Sequence, residues 1–143
     1  MSEQKDLVKT LRQLEFFRNF SGEETEKLLH ISQWVKAGAG QCLITESADD
    51  RYLYVLVRGQ ANVVKQGKLL AVLSPGEIFG EISALAGSPR SAHVIAKTEC
   101  YCVRFEPLLL DRLPQEIELK LVKNILYTLA HRLTALNRRY TAV

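Results

Sequence analysis

Between Trp34 and Phe105 the chain is cut into short segments rich in β-branched and aromatic residues, and this rhythm restricts the fold more than any other feature. Trp34-Val35, Cys42-Leu43-Ile44-Thr45, Tyr52-Leu53-Tyr54-Val55-Leu56-Val57, residues 60–64, Leu69-Leu70-Ala71-Val72-Leu73, residues 92–96 and residues 101–105 all read as strands. Gly38 and Gly40 punctuate the first pair, Ser47-Ala48-Asp49-Asp50 is a turn by composition, Arg58-Gly59 separates the next pair, and Gln66-Gly67 is a hairpin signal. Many short strands at regular spacing predict an antiparallel barrel or jelly roll. Its aliphatic interior offers a mouth for a small ligand.

One stretch breaks the rhythm: Phe79-Gly80-Glu81-Ile82-Ser83-Ala84-Leu85-Ala86-Gly87-Ser88-Pro89-Arg90-Ser91-Ala92-His93-Val94. Pro75-Gly76 sets a turn before it, and Gly80 permits a backbone conformation or a close approach that a Cβ would block. Residues 81–85 suit about one helical turn, which Gly87 and Pro89 end before a strand resumes at Val94. A helix start after a glycine presents free backbone N–H groups to an anion. Arg90 and Ser91 add a guanidinium fork and a hydroxyl, both suited to phosphate. Glu81 repels phosphate, so its place is beside a sugar hydroxyl next to that phosphate. The simpler alternative is a Glu81–Arg90 salt bridge that only braces the loop.

This constellation resembles the phosphate-binding cassette of the cyclic nucleotide-binding domain, a family that spans catabolite activator proteins, regulatory subunits of cyclic-nucleotide-dependent kinases, and gated channels. Phe79-Gly80-Glu81 and Arg90-Ser91-Ala92-x-Val94-x-Ala96 carry the likeness. Ala84 departs from the larger aliphatic often found there, with Leu85 next to it to fill the space, and the 47–50 turn lacks the family's glycines. The resemblance implies a mainly β fold with helices: N-terminal helices over 1–31, a β-roll over 32–105 containing the cassette 79–92, and C-terminal helices over 106–143. It implies that Arg90 pairs with a cyclic phosphate. Ser91 and the amides near Ile82, Ser83 and Ala92 complete its hydrogen bonds, Glu81 accepts from the ribose 2′-hydroxyl, and Gly80 allows close approach. Thr134, Asn137 and Arg138 are the candidates for a cap over the base, set against the plainer reading of a solvated helix face. Cyclic AMP (cAMP) is the expected ligand and cyclic GMP (cGMP) the alternative, since Ser91 is compatible with both.

The flanks read as helices. Residues 6–17 place Leu7, Leu11 and Leu14 on one face, with Phe16, Phe17 and Phe20 as core anchors beyond. Ser21-Gly22-Glu23-Glu24 is a capping box that opens a second helix with Leu28 and Leu29 on its apolar face. Pro107 starts a short helix over 108–113, and Pro114 separates it from a long one over about 115–140. In the long helix Val122, Leu126, Leu129, Leu133, Leu136 and Tyr140 step by four and three, a heptad seam, while Ile117, Leu121 and Ile125 widen the stripe at its start. The wide start points to packing on the chain's own roll and the later seam to a homodimer. His131, Arg132, Arg138 and Arg139 make the helix end basic, which dipole complementation explains.

Composition closes off several classes. A length of 143 residues, 47% hydrophobic and 24% charged, fits a single folded domain, and a net charge of +3 is too mild to argue for nucleic acid. No second helical pair follows Tyr140 to make a helix-turn-helix, so no DNA-binding domain is expected. No apolar run reaches membrane-span length and the N-terminus is polar, so a cytoplasmic protein is expected. Cys42, Cys100 and Cys102 are odd in number and widely spaced, which predicts three buried or half-buried thiols instead of disulfides or a zinc site. His30, His93 and His131 form no metal-ligand cluster. No nucleophile–base pair has recognisable context, so the expectation is a sensor module, not an enzyme, acting on a downstream protein. The competing reading is a roll that binds another effector or none.

Overall fold

The computed structural model describes residues 2–141, with side-chain burial described over 6–138. Among the described residues eight strands form two four-stranded antiparallel sheets: β1 (Ser32–Ala37), β8 (Cys100–Phe105), β3 (Leu53–Arg58) and β6 (Ile78–Phe79) in one, β2 (Cys42–Ile44), β7 (His93–Ala96), β4 (Ala61–Lys65) and β5 (Lys68–Leu73) in the other, in those spatial orders. The turn signals fall where the chain reverses, and Gln66-Gly67 takes positive φ at both residues in the β4–β5 hairpin.

The first sheet separates two cores, and the strand register shows why. Leu53 pairs with Phe105 and Val55 with Val103, and these side chains meet Leu11, Phe16, Phe17, Phe20, Leu28 and the long C-terminal helix. Leu56 pairs with Cys102, and with Tyr54, Phe79 and Cys100 it faces the second sheet. β3 is therefore buried on both faces, which explains its unbroken apolar run. Cys100 and Cys102 lie on the inner face as expected, and burial pushes the Cys102 thiol up to about 12. Cys42 corrects the expectation of three buried thiols. It lies on β2, an edge strand of the second sheet, and is exposed.

The N-terminal helix is broken where one helix was expected over 6–17. α1 runs Ser2–Gln13, Leu14 turns extended, and a 3-10 turn follows at Glu15–Phe17. The break lets Phe16 and Phe17, ring centroids 5.2 Å apart and edge-on, both enter the core. α2 (Gly22–His30) opens with the capping box formed in both directions: Ser21 Oγ accepts from the Glu24 amide and the Glu24 carboxylate from the Ser21 amide. α3 (Glu81–Ala86) is the short helix of the cassette. α4 (Pro107–Leu110) is shorter than the expected 108–113.

α5 (Gln115–Thr141) crosses the molecule from the helical end to the mouth of the roll. Ile117, Leu121 and Ile125 are buried in the helical core. Lys120 Nζ donates to Glu24 Oε1 at 2.7 Å, and Asn124 Nδ2 donates to the Phe16 carbonyl at 2.8 Å. Val122, Leu126, Leu133 and Leu136 of the heptad seam are exposed and Leu129 is half-buried. The Arg139 and Tyr140 side chains lie outside the described residues.

Candidate functional site

A cavity of about 450 Å³ opens between α3, α5 and the inner faces of β4, β5 and β7. The cassette builds its floor. Gly80 has φ 79 and starts α3, and Gly87 with φ 71 ends it, so two left-handed glycines confine the helix to six residues. Its ladder begins with the Ala84 N–H donating to the Gly80 carbonyl, which leaves the amides of Glu81, Ile82 and Ser83 ahead of the ladder. Gly80, Glu81, Ile82, Ser83, Arg90, Ser91 and Ala92 all line the cavity.

Arg90 is only 3% exposed. Its Nη1 donates to the Gly80 carbonyl at 2.8 Å, and its Nη2 to Asp50 Oδ1 at 2.6 Å and the Tyr52 carbonyl at 2.7 Å. Its Nε is buried with no acceptor among the described residues. An orphaned guanidinium N–H on a cavity wall is a costly arrangement that an anion relieves. The chain around Arg90 is tied to the 47–50 loop: the Ser47 amide donates to the Arg90 carbonyl at 2.7 Å, and the Arg90 amide to the Ala48 carbonyl at 3.0 Å. Ser47 has φ 69, so a serine takes the left-handed position where a glycine was missed in the sequence.

Glu81 and Arg90 do not pair with each other, which removes the loop-bracing salt bridge. Glu81 Oε1 accepts from Arg132 Nη1 of α5 at 2.7 Å, and Arg132 Nη2 donates to the Ile78 carbonyl at 2.6 Å. Gly80 takes the left-handed conformation expected of it, and the close approach it allows is that of Arg90. A Cβ there stands 2.7 Å from Arg90 Nη1 and 2.8 Å from the Tyr52 carbonyl, so the glycine makes room for Arg90 itself. Above the polar floor, Val63, Ala71, Val72, Leu73 and Val94 give the cavity an aliphatic wall. Phe79, at its base, stacks on Tyr54 with centroids 4.8 Å apart.

From α5 the lining residues are Arg132, Ala135 and Leu136. The cap candidates stand elsewhere. Thr134 is exposed with its hydroxyl donating to the Ala130 carbonyl, and Asn137 and Arg138 are exposed and outside the cavity lining. The sequence reading missed Asp50, Tyr52 and Arg132 as site residues. For Arg132 the heptad spacing from Ile125, seven residues or two helical turns, signals an inward-facing position but not its partner Glu81. Asp50 and the Tyr52 carbonyl gave no comparable signal, because their roles depend on how a loop folds over the cassette.

Residues 34–116, more than half of the chain, match the family of the cyclic nucleotide-binding domain. The chain belongs to that family. A cAMP-dependent protein kinase regulatory subunit of Yarrowia lipolytica is 29% identical over 75% of this chain and 30% of its own length. A cGMP-dependent protein kinase of Eimeria tenella is 37% identical over 61% of this chain and 9% of its own. The chain thus spans under a third of these two relatives. A cyclic nucleotide-binding domain from Methylobacillus flagellatus, solved by crystallography, superposes with a TM-score of 0.82 at 25% identity, covering 96% of this chain and 82% of that one. The helices-roll-helix arrangement is the cyclic nucleotide-binding fold. Among the described residues no cluster of three or more His, Cys, Asp or Glu side chains stands close enough to hold a metal ion, and no helix is long and apolar enough to cross a membrane.

Proposed function

We propose that the cavity binds a cyclic purine nucleotide and that the chain is one regulatory domain, with residues 1–31, 32–105 and 106–143 as its helical, roll and C-terminal parts. The observation that carries this reading is Arg90: a buried cation on a cavity wall with its Nε unpaired and the amides of the α3 start nearby. The cyclic phosphate accepts from Arg90 Nε, Ser91 and the amides of Ile82, Ser83 and Ala92, and Glu81 accepts from the ribose 2′-hydroxyl. A hydrogen bond to a charged group of this kind is worth about 1.5–3 kcal/mol. The base lies against Val63, Ala71, Val72 and Leu73.

That aliphatic wall favours cAMP over cGMP. Guanine carries a longer donor and acceptor edge than adenine, and polar groups buried without partners cost affinity. Ala135 and Leu136 close over the base from α5, and Thr134, Asn137 and Arg138 reach a base only by a shift of that helix. Ligand that binds the closed arrangement better draws α5 onto the roll, and a downstream protein reads that movement. The exposed seam of α5 pairs with a second copy. Binding occurs without turnover.

Calorimetric titration of the purified protein with cAMP and cGMP, with the nucleotide recovered and analysed afterwards, tests the reading. Binding of cAMP at micromolar or lower Kd, weaker binding of cGMP, and intact nucleotide are expected. No heat with either ligand, in folded protein free of co-purified nucleotide, supports the competing roll that binds another effector or none. Conversion of the nucleotide makes the domain an enzyme.

A further inference from the structure

The loop between β2 and β3 is tied to the cassette, and one of its ties ends on a titratable ring. The Ser47 amide donates to the Arg90 carbonyl at 2.7 Å and the Arg90 amide to the Ala48 carbonyl at 3.0 Å. Arg90 Nη2 donates to Asp50 Oδ1 and to the Tyr52 carbonyl. Ahead of these, the Glu46 amide donates to His93 Nδ1 at 3.1 Å. Ser47, the next residue, holds φ 69, a position that a serine keeps only where surrounding bonds over-determine it. His93 is half-buried on β7, three residues after Arg90. Only a neutral ring with a bare Nδ1 accepts this bond, because an imidazolium donates from both nitrogens. Imidazole is also the side chain whose ordinary charge change falls between about pH 5 and about pH 8. The Glu46 carboxylate has Oε1 buried with no partner among the described residues, so an acceptor for a protonated ring lies on the same residue. The other surroundings of His93 are neutral or engaged. Across the sheet it stands opposite Val64, and Val64 opposite Leu69, with Lys65 and Lys68 as the next pair at the hairpin end. Cys42 of β2 turns its thiol to the Ile44 carbonyl at 2.8 Å, and the Arg90 guanidinium is directed to Gly80, Asp50 and Tyr52. The other two histidines stand on α2 and at the far end of α5.

We propose that His93 is a positioning residue for the phosphate site: its neutral ring pins Glu46, and through Glu46 the 47–50 loop that holds Arg90, and its protonation releases that pin in favour of the Glu46 carboxylate. The inference rests on the nucleotide reading above and adds to it a proton-sensitive control of affinity. A proton on Nδ1 sets two N–H groups against each other, so the amide bond is lost. The imidazolium turns instead to the buried Oε1, which gains the donor it lacks, so the protonated state is a second defined arrangement. The left-handed Ser47 then loses the anchor on the residue before it. Arg90 is held by the Gly80, Asp50 and Tyr52 oxygens, and two of these three belong to the loop that has been loosened. A guanidinium held less firmly has more freedom to lose when the phosphate binds. Affinity is therefore highest with the ring neutral and falls as pH drops through its titration. Plain electrostatics runs the other way, since an added positive charge near an anion site favours the anion. The sign of the pH dependence thus separates a loop latch from a simple charge.

The test titrates wild type, His93→Asn and His93→Ala with cAMP between about pH 8 and about pH 5.5, each shown folded by circular dichroism at both limits. In parallel, nuclear magnetic resonance of isotope-labelled, ligand-free wild type follows the His93 ring and the Glu46 amide over the same range. Wild type is expected to lose affinity by about three- to tenfold toward acid, the worth of one hydrogen bond. The amide oxygen of asparagine stands in for Nδ1 and does not titrate, so His93→Asn stays within about twofold of the neutral wild-type affinity throughout. His93→Ala is weaker than neutral wild type by about three- to tenfold at every pH. The Glu46 amide resonance moves with the titration of the His93 ring. If His93→Asn keeps the wild-type pH profile, or His93→Ala binds like wild type in neutral solution, His93 positions nothing and the inference fails. A gain of affinity in acid that His93→Asn lacks makes His93 a plain charge and also overturns it, as does a Glu46 amide that ignores the ring. If wild type binds no cAMP at any pH while the Glu46 amide follows the ring, the nucleotide reading fails and the latch on the loop stands.

Discussion

Replacing Gly80 with alanine probes the joint between fold and site. At φ 79 an L-residue is strained, which costs about 1–2 kcal/mol. The added Cβ also stands 2.7 Å from Arg90 Nη1 and 2.8 Å from the Tyr52 carbonyl. The carbonyl is backbone and cannot yield cheaply. The guanidinium can yield only by leaving the Gly80 carbonyl, Asp50 and the Tyr52 carbonyl, and one such charge-assisted bond is worth about 1.5–3 kcal/mol. With partial relaxation the total is about 2–4 kcal/mol, a fall of about 6–16 °C in Tm for a domain of this size. Since Arg90 moves, cAMP affinity falls at least about tenfold. Gly40→Ala is the control: its φ is 88, yet nothing lies within 4 Å of the added Cβ, so it carries the backbone strain alone. Thermal melts and titrations of both variants make the comparison. If Gly80→Ala is as mild as Gly40→Ala and binds nucleotide normally, the steric argument for Gly80 is refuted.

Further outcomes follow from other parts of the molecule. The Glu24 carboxyl is held below its ordinary range, chiefly by the hydrogen bond from Lys120. A depressed folded-state value gives stability that is present above the unfolded value, near 4.5, and is lost as pH falls through the folded one. Glu24→Gln is therefore expected to lower stability at pH 7 by under about 1 kcal/mol, with the difference from wild type closing in acid; a constant difference in pH-dependent denaturation counts against the Lys120 pair as its source. Native-state alkylation followed by mass spectrometry is expected to label Cys42 first, with Cys100 and Cys102 reacting only on unfolding, and early labelling of Cys102 contradicts its burial. Leu126 and Leu133 are 63% and 58% exposed on the α5 seam, so Leu126→Lys/Leu133→Lys is expected to convert a dimer to a monomer in sedimentation without loss of fold. A wild type that sediments as a monomer excludes that pairing.

The cassette was legible because its chemistry is local. Gly80, Glu81, Gly87 and Arg90 sit at fixed covalent spacing, and each needs its own residue type: left-handed turns at the glycines, a buried acid, a buried guanidinium. The strand rhythm and the Ser21–Glu24 box were legible for the same reason. What escaped depends on long-range placement. Asp50 meets Arg90 across 40 positions and Arg132 meets Glu81 across 51, so neither pairing has a local signature. The break at Leu14 arises because two adjacent phenylalanines must both enter one core, a demand that helical periodicity does not express. The cap candidates Thr134, Asn137 and Arg138 are polar side chains on the C-terminal part of α5. The inward face there instead continues from Ile125 to Arg132, Ala135 and Leu136.

The most direct test of the central claim is ligand-induced stabilisation of wild type beside Arg90→Ala and Arg90→Lys. Ligand that binds only the folded state raises stability by about 2.7 kcal/mol at one hundred times its Kd. The account predicts a rise in Tm with cAMP in wild type, a much smaller rise in Arg90→Lys, which lacks the guanidinium fork, and none in Arg90→Ala. An equal rise in all three proteins contradicts it, because the nucleotide is then held somewhere other than against the buried guanidinium of Arg90.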